Sequence, residues 1–130
     1  MMQTLSIRSS RRVELIDVTP EVAEVVRGSG ATEGLCLVYV PHTTAAVTVN
    51  ENADPAVVRD VIAKLNELVP RDDAYSHSEG NSDAHVKSTL VGCSTVIPIQ
   101  AGRLVLGTWQ AIYFCEFDGP RQRQLVVLVR

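Results

Sequence analysis

The sequence predicts an α+β protein built mainly from antiparallel β-sheet, sandwich-like, with one long amphipathic helix and one or two short helices. Three observations carry that expectation. Most apolar residues fall in short β-branched or alternating runs separated by Gly, Pro, Asp and Asn. One segment stands out with a sustained apolar stripe at three- and four-residue spacing. Strand-like runs follow one another without the regular strand–helix alternation of a parallel sheet.

Taken in order, residues 1–12 alternate polar and apolar and lack the continuous apolar core of a secretory leader. Residues 13–18 read as a strand. Thr19 is placed to cap a short helix, Pro20 suits its first position, and Gly28 or Gly30 ends it. Residues 34–40 are nearly continuously apolar, as in a strand covered on both faces, and Pro41 stops the ladder. Residues 46–50 alternate and form the next strand.

Asp54 then caps the long helix, with Pro55 at its first position. Val57, Val58, Val61, Ile62, Leu65, Leu68 and Val69 form its apolar face, and Arg59, Asp60, Lys64 and Glu67 lie opposite. Pro70 ends it. Residues 71–81 are a polar loop, and Asp83 is predicted to cap a short helix over 84–91 that stops at Gly92. Residues 94–100, 103–106, 111–117 and 124–129 complete the strands, with turns at Ala101-Gly102 and Asp118-Gly119-Pro120.

A length of 130 residues fits one domain, 1–130, large enough to bury its own core. The apolar share of 45% against 21% charged is that of an ordinary globular chain. A net charge of −3, with few aromatics and none interleaved with basic residues, argues against nucleic acid as a partner. No apolar run approaches the roughly 20 residues of a membrane span, so no membrane partner is expected and the expected location is cytoplasmic. Cys36, Cys93 and Cys115 are odd in number and widely spaced, which does not suit a disulfide framework. All three are expected to be buried thiols without a catalytic role.

The reactive side chains cluster at the edges of elements. His42, His77 and His85 are the only histidines. Together they suit a divalent metal such as zinc, with Glu51, Glu79, Asp83 or Glu116 supplying an oxygen. Their spacing is long and irregular, so it fits separate surface histidines equally well. An anion site is the other reading: Gly80, Asn81, Ser82, His85 and Lys87 offer several donors in a short span beside a helix start. Thr108, Trp109 and Gln110 stand between two strands, where an indole and an amide suit a ring, or where Trp109 packs in the core or at an interface. Asn50 and Asn52 read as ligand groups or as turn formers, and Arg121 and Arg123 as exposed.

Five blocks together resemble the YjbQ family: His42-Thr43-Thr44; Asn50-Glu51-Asn52-Ala53-Asp54-Pro55; His77-Ser78-Glu79-Gly80-Asn81-Ser82-Asp83-Ala84-His85-Val86-Lys87-Ser88; Gly107-Thr108-Trp109-Gln110; and Glu116-Phe117-Asp118-Gly119-Pro120-Arg121. Many members carry Ser where this chain has Thr44, and its histidine loop lacks the acidic insert of others. The resemblance implies a homotrimer with the His, Asn-Glu-Asn and Thr-Trp-Gln blocks gathered in a cleft near the subunit junction. It also implies a small-molecule enzyme with thiamine-phosphate synthase as a side activity, joining a pyrimidine pyrophosphate to a thiazole phosphate.

On that reading His42, Glu51, His85 and Lys87 are the catalytic candidates. Thr44, Asn50, Asn52, Asn81, Ser82, Thr108, Trp109 and Gln110 bind a small phosphorylated metabolite, and a divalent metal, zinc or magnesium, sits on His42, His77 and His85. The alternatives are a metal-dependent hydrolase using the same histidines, with Glu51 or Glu79 as base, and a non-catalytic ligand-binding trimer.

Overall fold

A computed structural model describes residues 1–130 throughout. Eight strands form two antiparallel sheets. The larger has the order β1-β8-β3-β5-β6, from β1 (Met2–Arg8), β8 (Gln122–Val129), β3 (Gly34–Tyr39), β5 (Ser94–Gln100) and β6 (Arg103–Leu104). The smaller has the order β2-β7-β4, from β2 (Glu14–Asp17), β7 (Gln110–Glu116) and β4 (Ala45–Glu51). Three helices complete the α+β fold: α1 (Thr19–Ser29), α2 (Pro55–Leu68) and α3 (Ser82–Val91). No helix is long and apolar enough to cross a membrane.

Alternation decides where each strand points. Cys36 and Val38 of β3, Ile97 and Ile99 of β5, and Leu125, Val127 and Val129 of β8 line the inner face of the larger sheet. Ala45 and Val47 of β4 with Ile112 and Phe114 of β7 face them, and Val22, Val25 and Val26 of α1 close the gap. Each buried Val, Ile, Leu or Phe among them contributes about 1.5–3 kcal/mol. The opposite face of the smaller sheet packs Ala46 and Cys115 with Phe117 against Ala84 of α3. The smaller sheet is therefore covered on both sides.

Several expectations are corrected at this level. Residues 2–8 are strand β1, paired in register with β8 from Met2↔Leu128 to Arg8↔Gln122. The predicted strand over 103–106 shortens to the two residues of β6, joined to β5 by a two-residue turn in which Ala101 and Gly102 both take positive φ, 52° and 76°. Thr19 does not cap α1; its hydroxyl accepts the N–H of Ile112 at 2.8 Å, tying the helix start to β7. Asp54 does cap α2, accepting the N–H of Ala56 at 2.9 Å. Cys93 is exposed, whereas Cys36 and Cys115 are buried. Burial raises those two thiols to about 11 and about 12, far from a nucleophile's range.

Candidate functional site

At one end of the sandwich the inward-facing positions stop being apolar. In β8 the residue in phase with Leu125, Val127 and Val129 is Arg123, and in β7 the residue in phase with Ile112 and Phe114 is Glu116. Both are buried, Arg123 at 3% exposure and Glu116 at 0%. Arg123 Nε donates to the two Glu116 oxygens at 2.9 and 3.1 Å, and Nη2 donates to the Thr44 hydroxyl at 2.8 Å. The Ser9 hydroxyl donates to Glu116 at 2.7 Å. Burial alone would raise the Glu116 carboxyl, but the bonds from Arg123, Ser9 and the Asp118 N–H outweigh it and hold it below its ordinary value.

This charged plug floors a cleft of about 500 Å³. Its wall contains His42, Thr43, Thr44, His77, Glu79, Asn81, His85, Asp118, Arg121 and Arg123, and its one apolar ring is that of Pro41. Nε2 of His42 accepts the N–H of Gln124 at 2.9 Å. That bond selects the neutral tautomer with its proton on Nδ1. Burial, then the Arg123 charge, push the His42 pKa down, so His42 is neutral near pH 7. The rings of His77 and His85 meet edge-on, with centroids 5.5 Å apart and planes at 86°. Asn81 donates to Asp118 at 2.9 Å, while its buried Oδ1 has no partner within the protein. Arg121 reaches the same Asp118 carboxylate at 2.9 Å.

Behind the histidine helix lies a second polar network. Asp83 is fully buried and is not the cap of α3; that position belongs to Asn81. Arg12 grips both Asp83 oxygens at 2.9 Å, and Lys87 donates to Asp83 at 3.2 Å and to Asn66 of α2 at 2.7 Å. Burial opposes ionisation of Asp83, but the bonds and charges of Arg12 and Lys87 prevail and hold its pKa at about 2. Lys87, 1% exposed, is thus committed inside the protein and does not line the cleft. Its bonds tie α3, which also carries His85, to α2.

The structure brings together His42, Thr44, His77, Asn81 and His85 from the predicted set. Ser82 opens α3 but does not line the cleft. Asn50, Glu51, Asn52, Thr108, Trp109 and Gln110 gather elsewhere. Glu51 pairs with Gln110 across β4 and β7, and the Asn52 N–H donates to the Trp109 carbonyl at 3.0 Å. They sit at the far end of β4 from Thr44, roughly 20 Å away by the rise of a strand. Trp109 is 61% exposed rather than packed in a core. Within one chain the expected gathering of all three blocks does not occur.

A three-histidine metal site does not fit this arrangement. Nowhere do three His, Cys, Asp or Glu side chains come together as a set able to hold a metal ion. Nε2 of His42 already accepts an N–H, and Asp83 and Glu116 are spent in buried ion pairs. Sequence reasoning missed Arg121, Arg123 and Asp118 as wall residues. The signal for Arg123 was present: it falls in the apolar phase of β8, where a charge must be either buried and paired or an interruption.

Comparison with known proteins finds chains similar to this one over nearly its whole length. The family model described as UPF0047 protein YjbQ-like matches residues 3–130. A UPF0047 protein of Methanocaldococcus jannaschii is 49% identical over 99% of this chain and 94% of its own length. The UPF0047 protein YugU of Bacillus subtilis is 50% identical over 95% of this chain and 94% of its own. Among solved structures, a YjbQ/UPF0047 family protein from Clostridium acetobutylicum superposes with a TM-score of 0.97 at 47% identity, covering 98% of this chain and 99% of that one. A YbjQ-like protein of unknown function from Sulfolobus solfataricus gives 0.95 at 34% identity, covering 99% and 95%.

Proposed function

The chain belongs to the YjbQ-like UPF0047 family, and from that premise we propose that it is a cytoplasmic small-molecule enzyme whose histidine cleft holds the phosphate end of a phosphorylated metabolite. The observation that carries the reading is the cleft wall: three imidazoles, two guanidinium groups and two threonine hydroxyls, which outnumber the two carboxylates, Glu79 and Asp118. Such donors match phosphate oxygens in number and geometry. The bonds from Arg123 to Glu116 and Thr44 use Nε and Nη2, which leaves its Nη1 group for a ligand.

The specific version is thiamine-phosphate synthesis. The bond between the pyrimidine methylene carbon and the pyrophosphate oxygen breaks, both electrons leave with pyrophosphate, and the thiazole nitrogen forms the new bond to that carbon. Arg121 and Arg123 stabilise the departing anion, with the ring N–H groups of His77 and His85 as further donors. His42, held neutral, supplies an Nδ1–H as a hydrogen-bond donor. No protein nucleophile takes part, and no step runs through a metal.

The homotrimer that the family resemblance implies would reconcile a single site with the distance along β4 between the histidine cleft and the Asn50–Asn52 and Thr108–Gln110 cluster. Assembly would let that cluster of one protomer face the cleft of its neighbour, so both groups of proposed ligand residues serve one site.

Isothermal titration with inorganic pyrophosphate tests the cleft. Saturable binding that weakens about tenfold or more in His85→Asn supports the reading, and absence of binding overturns it. Incubation with the pyrimidine pyrophosphate and thiazole phosphate tests the chemistry; no pyrophosphate release removes that version. Stoichiometric zinc in protein purified without chelator would return the histidines to metal ligation.

A further inference from the structure

Away from the cleft, α2 sits unusually. It carries the long apolar stripe of the sequence, yet none of its residues is fully buried. Between α2 and the β2-β7-β4 sheet, side chains leave a slot of about 140 Å³. Leu15, Tyr113 and Cys115 line it from the sheet, and Val57, Val61 and Leu65 from the helix. Well-packed interiors rarely leave voids larger than a water molecule. A void that side chains do not fill forfeits dispersion contacts along its whole lining. Apolar cavities of roughly 150 Å³ are known to exclude water and take up benzene. The slot therefore has the volume and lining for one six-membered ring.

Its polar lining is Thr48, Asn50 and Glu51 of β4, with the Tyr113 hydroxyl of β7 donating to the Glu51 carbonyl at 3.1 Å. Asn50 is exposed and Glu51 half-buried, so the slot has a polar edge at the end of the strand. The helix above is held unevenly. Near its C-terminal end Asn66 accepts from the buried Lys87 at 2.7 Å, and Val69, just beyond, is buried. At its N-terminal end Pro55 is exposed, and the Asp54 cap bonds only to the helix itself, at Ala56. The roof is tied to the rest of the protein by a hydrogen bond near one end, and by none at its start, beside Asn50 and Glu51.

We propose that this slot is a binding site for a small uncharged ring, aromatic or alicyclic, of the size of benzene to phenol, with a hydrogen-bonding substituent directed to Asn50 and Glu51. The lining excludes a charged group from the ring itself, because a charge there would be desolvated without a partner. The ring pocket lies away from the histidine cleft of its own chain; its polar edge belongs to the cluster that the proposed trimer turns toward a neighbour's cleft, and the ring site does not rest on that assembly.

The test uses the full chain and 4-fluorophenol, followed by fluorine NMR. A saturable shift at one site per chain, with methyl perturbations on Val57, Val61 and Leu65, is the expected result. Val61→Phe fills the slot and should weaken binding by about tenfold or more, while pyrophosphate binding at the cleft stays unchanged. Val61→Leu, a smaller filling, serves if the Phe variant does not fold. No saturation up to the solubility limit overturns the proposal, as do methyl shifts confined to other parts of the molecule. Undiminished binding in a folded filling variant overturns it too.

Discussion

Arg123 and Glu116 show how much rests on single side chains here. They are both charged, both buried, and each satisfies the other at the closed end of the core. Removing one partner strands an uncompensated charge, whereas removing both leaves two neutral groups. Arg123→Met is expected to cost about 3–5 kcal/mol in urea unfolding, and the double variant with Glu116→Gln to cost less than the single one. At this scale the sequence was partly legible. His42, His77 and His85 stand out by residue type, and they do share one hollow. The buried pairs did not stand out, because a charge in an apolar phase reads as exposed until its partner, distant in the chain, is known. Lys87 and Asp83 are four residues apart on α3, but the third member, Arg12, comes from the other end of the sequence.

Elements with strong periodicity were the most legible. The stripe of α2 and the alternation of β4, β5, β7 and β8 are local signals that the tertiary structure did not override. Strand β1 was not read as a strand, because an edge strand needs to bury little: only Ile7 is buried and Leu5 half-buried. The start of α3 was misplaced because Asp83 resembles a cap in sequence while Arg12 and Lys87 claim its carboxylate in the fold. Asp54 has no such competitor, and its one bond is to Ala56. Asp54→Ala should therefore lower stability by about 1 kcal/mol, read as a shift in denaturation midpoint, with the helix retained in far-UV circular dichroism. A loss much larger than this would mean that the helix start carries tertiary contacts as well.

For the whole molecule, acidity separates two layers of electrostatic support. His42 has a lowered pKa when folded, so the unfolded chain binds the extra proton first. Its contribution is complete above about pH 6.5 and declines as pH falls below that value. Asp83 and Glu116 are also lowered, so their contributions are complete above the ordinary carboxylate range and are lost as pH falls toward their folded values. Each such carboxyl changes stability by up to about 1.4 kcal/mol per pH unit within its window. Thermal midpoints measured from pH 8 to pH 3 should show a level stretch, a shallow decline below pH 6.5 and a steep one below about pH 4.5. His42→Gln should remove the shallow decline and leave the steep one. The family and the α+β architecture were legible at this scale from the order of the blocks. The separation of the Asn-Glu-Asn and Thr-Trp-Gln blocks from the histidines was not, since it depends on the direction in which β4 runs.

The three cysteines differ in reach, and that has a practical use. Cys36 and Cys115 are enclosed and hard to deprotonate, whereas Cys93 is open and lines a hollow shared with His42 and His85. A maleimide dye added at neutral pH has a single address on the native chain. It would stand beside the cleft as an optical reporter of whatever enters, with no engineered cysteine needed.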